Sequence, residues 1–196
     1  MTFKQCYRVN GKLVHTREGN LWNQIKKRCK TGGKYQEENP TYVGTEMSEN
    51  FKEFQFFAQW CQRQKGFMSK DSKGAFYHID KDLLVRGNQV YSEEFCVFIP
   101  QALNSFLTNN KSNRGMYPVG VSGPQLAYRR YKYSARCSNG EGLVVFLGSF
   151  ETPEDAFYEY KRYKESVAKE YAEKLQGCVD ERVIEALLKY TVDIID

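Results

Sequence analysis

Residues 77–104 combine groups that are rarely placed together for structural reasons alone. His78, Asp80 and Asp82 occupy every second position, and Asn104 follows shortly after. In a strand these alternate positions would share one face. A helix starting near Gln101 would bring the Asn104 amide back over that face. One imidazole, one or two carboxylates and an amide oxygen suit a hard cation such as Mg²⁺, which prefers oxygen ligands. The corresponding chemistry is phosphodiester hydrolysis, which needs an activated water, a cation to stabilise the developing charge and a means of holding the phosphate. A bland reading uses the same residues: a satisfied strand histidine and two aspartates flanking a turn.

The elements needed to position these groups can be read around them. A strand is expected over 76–82, a turn at Arg86-Gly87-Asn88, a second strand over 95–99 and a helix from about Gln101. Upstream, Asn10-Gly11 between two short strand-like runs predicts a hairpin. His15 at its end reads as ordinary surface. Leu21, Trp22, Ile25 and Cys29 predict a helix over 21–30, ended by Gly32-Gly33. Ser48 is a good N-cap for a second helix whose apolar face is Phe51, Phe54, Phe57, Ala58 and Cys61. The Trp22 and phenylalanine set reads as core. Residues 109–115 are polar and poor in apolar types, which marks a linker and divides the chain into domains at 1–110 and 111–196.

Beyond that linker, strands are expected over 117–121, 128–137 and 143–147, with a turn at 138–142. Thr152-Pro153-Glu154-Asp155 opens a long helix running to about Leu175. A final amphipathic helix over 180–190 would either dock on this domain or mediate a dimer. Along the middle strand Arg130, Lys132, Ser134 and Arg136 would project one way as a row for phosphate contact, with the two arginines able to read guanine edges. Tyr131, Tyr133, Ala135 and Cys137 would pack on the long helix through Ala156, Phe157 and Tyr160. The fold class expected is therefore α+β: a ββα unit with a preceding hairpin and helices, then a three-stranded antiparallel sheet on a long helix.

The chain has 196 residues and a mass of 22.9 kDa. With 41% hydrophobic and 15% aromatic residues it can pack cores, so wholesale disorder is excluded. The net charge of +5 conceals an asymmetry. Residues 111–150 carry six basic side chains, Arg114 and Arg129 among them, against Glu141 alone; residues 151–196 carry seven basic and twelve acidic ones. Such a local basic patch points to a polyanionic partner. The six cysteines form no Cys-x-x-Cys pair, which argues against structural zinc and for free thiols in a reducing, cytoplasmic setting. No stretch reads as a signal peptide, and no apolar run approaches the ~18 residues of a membrane span.

Two family resemblances follow from these motifs. Ile79-Asp80-Lys81, Gly87-Asn88, Tyr91-Ser92-Glu93-Glu94-Phe95-Cys96 and Asn104 resemble phage-type HNH endonucleases, whose ββα-metal fold has this order. Trp22, Arg28-Cys29 and the Phe51, Phe54, Phe57 helix extend the likeness over most of 20–108. Gly120-Val121, Lys132-Tyr133-Ser134-Ala135 and Leu147-Gly148-Ser149-Phe150-Glu151-Thr152-Pro153-Glu154-Asp155-Ala156 resemble the apetala-two (ethylene-response-factor) DNA-binding domain. That likeness covers about sixty residues. The pair together is similar to the layout of bacteriophage homing endonucleases.

The resemblance implies a metal-dependent endonuclease cutting duplex DNA to 5′-phosphate and 3′-hydroxyl ends. It implies Asp80 and Asn104 as ligands of Mg²⁺ (or Mn²⁺); Arg86 is a candidate phosphate clamp. The sheet would lie in the major groove through Arg130, Lys132, Ser134 and Arg136, with Arg114 and Arg129 nearby. The protein would act as a monomer or homodimer, in a host cytoplasm if phage-encoded. Lys81 stands where the family has its histidine base, and Phe95 where it has a turn-bracing asparagine. The base is then either His78 or Lys81, with His78 favoured because a lysine base needs a strongly lowered pKa. The competing expectation is an HNH-fold DNA-binding regulator or inhibitor that has lost cleavage. A third is an RNA-binding module using Tyr117, Tyr128, Tyr131 and Tyr133 to stack bases.

Overall fold

The structure is a computed structural model describing residues 2–108, 116–123 and 132–195. It is α+β, and it divides into two compact units: 1–99 with 178–180, and 100–177 with 181–196. The expected linker over 109–115 lies outside the described residues.

In the first unit β1 (Cys6–Val9) and β2 (Lys12–His15) form the expected antiparallel hairpin. Asn10 and Gly11 both take positive φ (49° and 77°), as a two-residue turn matching strand twist demands. Helix α1 (Arg17–Arg28) starts four residues before the expected position, because Thr16 caps it by accepting from the Gly19 N–H. A short α2 (Lys34–Glu38) and a single 3-10 turn (Pro40–Tyr42) lead to β3 (Glu46–Met47).

The expected helix from Ser48 is two helices, α3 (Glu49–Lys52) and α4 (Phe54–Arg63), broken at Glu53, whose ψ of 110° is extended. Ser48 does cap the first, accepting from the Phe51 N–H. Phe51, Phe57, Ala58 and Cys61 are fully buried. Phe51 meets Phe57 edge-on at 5.1 Å and Trp60 at 4.8 Å, while Trp60 and Phe67 both reach Phe98. The indole of Trp22 donates to the Phe51 carbonyl at 2.8 Å, tying α1 to this core. The core of the unit is thus the aromatic set read from the sequence, extended by Phe67 and Phe98.

Strands β4 (His78–Asp80) and β6 (Val97–Ile99) pair antiparallel, with Asp80 opposite Val97. Between them β5 (Val90–Tyr91) pairs in parallel with β3. The first strand is shorter than the expected 76–82 because Asp80 ends it, as described below.

In the second unit, α5 (Gln101–Leu107) buries Leu103 and Phe106. Then β7 (Val121–Ser122), β8 (Tyr133–Ser138) and β9 (Val144–Phe150) form a three-stranded antiparallel sheet with β8 central. The sheet packs on α6 (Pro153–Lys174), which Thr152 caps by accepting from Asp155 N–H at 3.1 Å. Ala135, Cys137, Ala156, Phe157 and Tyr160 fill the layer between them. Gly120 has φ +78°, and a Cβ there would lie 2.0 Å from the Tyr160 ring, so this turn needs glycine on both counts. The last helix, α7 (Glu181–Leu188), docks on α6 through buried Val183 and Leu187. Lys161 holds the tail, pairing with Glu165 at 2.9 Å and donating to Thr191 and the Val192 carbonyl. All six cysteines are free, and three of them are buried. Among the described residues, no helix is long and apolar enough to cross a membrane.

Candidate functional site

Strand β4 separates its side chains as alternation requires. Ile79 and Lys81 are buried, His78 is exposed and Asp80 is partly covered. His78 and Asp80 therefore share the outward face. Desolvation by the surrounding protein lowers the His78 pKa, and the cations Arg17 and Arg28 push it the same way. The imidazole is held neutral at physiological pH, which is the form that accepts a proton.

Asp80 is fixed by the backbone. Its Oδ1 accepts from Asp82 N–H at 2.9 Å and Leu83 N–H at 2.7 Å, closing an Asx turn. This turn ends β4 and overturns one expectation: Asp82 does not continue the face of His78 and Asp80. Its carboxylate instead takes the Lys81 ammonium at 2.6 Å. Desolvation raises the Asp80 pKa, opposed by the two N–H donors. Asp80 Oδ2 accepts no hydrogen bond among the described residues and is available to a cation.

Lys81 is buried, and its Nζ donates to Asp82 Oδ1 and to the Asn88 carbonyl at 2.5 Å. It also lies 5.9 Å from the Tyr91 ring centre. The placement is that of a strut inside the loop, turned away from the face of His78 and Asp80. Arg86 is exposed on that loop beside Gly87, whose φ is 75°.

Asn88 is the residue whose role the sequence did not reveal. Its Nδ2 donates to the carbonyls of Lys81 and Val90, both at 2.8 Å, and its Oδ1 accepts from Val90 N–H at 3.1 Å. The loop between β4 and β5 is therefore braced from Asn88. At position 95, where the resembled family has its bracing asparagine, Phe95 is half-buried and its N–H donates to Ser92 Oγ. The Gly-Asn pair was the available signal, but it reads first as a turn. Two arginines also went unread. Arg17 stacks 4.2 Å from the Phe76 ring centre and donates to the carbonyls of Phe67 and Tyr77, which anchors the segment entering β4. Arg28 donates to the Tyr91 hydroxyl at 2.9 Å, below the loop.

Asn104 lies on α5 in the second unit and is half-buried, with no side-chain hydrogen bond among the described residues. Its carbonyl accepts from the Thr108 hydroxyl. Among the described residues there is no group of three or more His, Cys, Asp or Glu that could hold a metal. A magnesium ion does not require one. It keeps several waters and is commonly held by one or two carboxylates together with substrate phosphate oxygens. A preset carboxylate oxygen at Asp80 fits that mode of binding.

At the sheet of the second unit, Arg136 is exposed on β8 and Lys132, exposed as well, immediately precedes that strand. Ser134, expected to contact DNA with them, is 1% exposed, because it lies on the central strand between Ser122 and Ser149. It is closed to a partner. Arg136 faces Phe146 across the ladder, its guanidinium 5.9 Å from the ring centre. Leu143, Val144 and Phe146 are all more than half exposed, so this end is cationic and apolar together. Arg114, Arg129, Arg130, Tyr128 and Tyr131 lie outside the described residues.

The chain matches no family model, no curated protein and no solved structure.

Proposed function

We propose that the chain is a metal-dependent endonuclease of the HNH type acting on duplex DNA. The observation that carries this reading is the setting of β4. A neutral, exposed imidazole and a backbone-anchored carboxylate share one face, and the loop behind them is braced by Asn88 and Lys81.

In this reading Asp80 holds a divalent cation, Mg²⁺ or Mn²⁺, through its open oxygen. The cation supplies charge neutralisation at the scissile phosphate. His78 would take a proton from water as the water oxygen bonds to phosphorus and the bond from phosphorus to the 3′ oxygen breaks. The departing 3′ oxygen takes a proton from solvent, leaving 5′-phosphate and 3′-hydroxyl ends. Arg86, exposed on the loop, would be the phosphate contact in this reading. The part of Asn104 as a second ligand rests on the resemblance alone, as do homing activity and phage origin. Lys132 and Arg136 supply the cationic contacts of the sheet to the duplex.

The burial of Lys81 where a base is usual favours a second reading, a DNA-binding regulator without cleavage. Plasmid nicking with Mg²⁺ and Mn²⁺, comparing wild type with Asp80→Asn and His78→Ala, separates the two. The nuclease reading expects nicking by wild type and its loss in both variants. No nicking by a wild type that still binds duplex DNA supports the regulator.

A further inference from the structure

We infer that the N-terminal hairpin and the outer face of α1 form a second binding surface for the phosphate backbone of duplex DNA. A groove of about 650 Å³ lies at the end of β2 and along α1, and every residue lining it is polar or basic. His15 closes one end. Asn20, Asn23, Gln24 and Lys27 lie on one face of the helix at spacings of three and four, and Lys30 follows just past its end. The groove also includes Lys26, whose ammonium sits 4.1 Å from the Trp22 ring centre and is held close to the surface.

The surrounding charge is one-sided. Residues 1–36 carry nine lysines and arginines against Glu18 alone. Glu18 is buried and accepts from Gln62, so it does not offset the cations outside. Arg17 and Arg28 are engaged inside the unit. Asn20, Asn23, Gln24, Lys27 and Lys30 have no side-chain hydrogen bond or ion pair among the described residues. Hairpin and helix are locked together, so the groove is preformed. Gly19 sits so close to the hairpin entry that a Cβ would lie 2.1 Å from the Gln5 carbonyl oxygen. Thr16 bonds the same segment through its N–H and its hydroxyl.

A preformed groove of lysine point charges and neutral amide donors matches a row of phosphate oxygens, which accept from both. The groove itself is lined by no aromatic or branched apolar residue on which a peptide would anchor. Its carbon surface comes from the stems of polar and basic side chains, and the exposed Tyr7, Val9 and Leu13 of the hairpin are not among its lining residues. This deepens the duplex-DNA reading and rests on it for the identity of the polyanion.

The test is fluorescence anisotropy of the full chain with a fluorescein-labelled, mixed-sequence duplex in EDTA, across a series of KCl concentrations. Lys27→Glu/Lys30→Glu is expected to weaken binding at least tenfold. It should also make the slope of log K against log salt shallower by about 1.8, two phosphate contacts at ~0.9 each. The charge-matched Lys169→Glu/Lys189→Glu should leave that slope unchanged. Equal loss in both pairs means net charge alone is at work and overturns the inference, as does unchanged binding by Lys27→Glu/Lys30→Glu. Wild type that binds in EDTA but never nicks with metal refutes the nuclease proposal and leaves this surface standing. Wild type that nicks while the α1 pair binds normally refutes only the surface.

Discussion

Asp80 carries two separable burdens, and asparagine and alanine divide them. Its Oδ1 closes the turn by accepting from Asp82 and Leu83 N–H, while its charge is desolvated, which raises its pKa above the ordinary 3.8. Asparagine keeps the acceptor and removes the charge. Alanine removes both and leaves the partly buried Leu83 N–H without a partner. An unsatisfied buried donor costs about 1–3 kcal/mol and a lost exposed hydrogen bond about 0.5–1.5, so Asp80→Ala should be less stable than Asp80→Asn, which lacks the charge equally, by roughly 2–4 kcal/mol. Against wild type, Asp80→Asn gains stability. A carboxyl whose folded pKa is raised contributes stability that is present below its unfolded pKa and lost as pH rises through the folded value. At pH 7 the wild type has lost that contribution. The Asn variant should therefore gain stability relative to wild type from about pH 4 upward, by ~1.4 kcal/mol for each unit by which the folded pKa is raised. Both tryptophans, Trp22 and Trp60, lie in the first unit, so urea unfolding followed by tryptophan fluorescence reads that unit directly. Asp80→Ala as stable as Asp80→Asn would show that the side-chain oxygen does not hold the turn. Asp80→Asn losing stability at pH 7 would refute the desolvation argument.

Three further outcomes are expected. Nicking by wild type should rise with pH and level off by about neutrality, because His78 titrates below its ordinary value; His78→Ala should lose that limb and about 10²–10⁴ in rate, read from single-turnover pH profiles. Asn88→Ala removes three hydrogen bonds from the loop and should cost about 2–3 kcal/mol by the same tryptophan-monitored unfolding, with no change in the sheet unit. Gly120→Ala drives a methyl into the Tyr160 ring at positive φ and should cost about 2–4 kcal/mol, seen in tyrosine near-ultraviolet circular dichroism while the tryptophan transition stays in place.

What the sequence disclosed and what it hid divide along local and non-local causes. Asn10-Gly11 and Thr152-Pro153 act through their own backbone, and both elements stand where expected. The early start of α1 escaped notice because Thr16 is followed by Arg17-Glu18-Gly19-Asn20, which shows no apolar period. The break at Glu53 is invisible to periodicity, since Phe51, Phe54 and Phe57 keep one phase across it. In the site, the shared face of His78 and Asp80 follows from alternation. The turn at Asp80 is a competition between a side-chain acceptor and the next ladder position, which alternation cannot foresee. Lys81 reads as surface in any sequence; it is buried because Asp82 and the Asn88 carbonyl take its ammonium. Ser134 reads as open-face until the neighbouring strands close over it.

The exchange at position 81 is then less damaging to a nuclease than the sequence alone implies. On β4, positions 79 and 81 turn inward, where Ile79 is buried and Lys81 braces the loop; positions 78 and 80 turn outward. In the proposed nuclease a base beside Asp80 would come from the outward pair, which points to His78. The neutral state of the imidazole is favoured first by desolvation and then by Arg17 and Arg28, two cations that the fold already needs to anchor Phe67, Tyr77 and Tyr91. The groups that hold the strand in place therefore also set the protonation state its outward histidine would need as a base. A nuclease with its base at 78 rather than 81 would require no new scaffold, only that the inward position be filled by a side chain long enough to reach Asp82 and the Asn88 carbonyl, as lysine does.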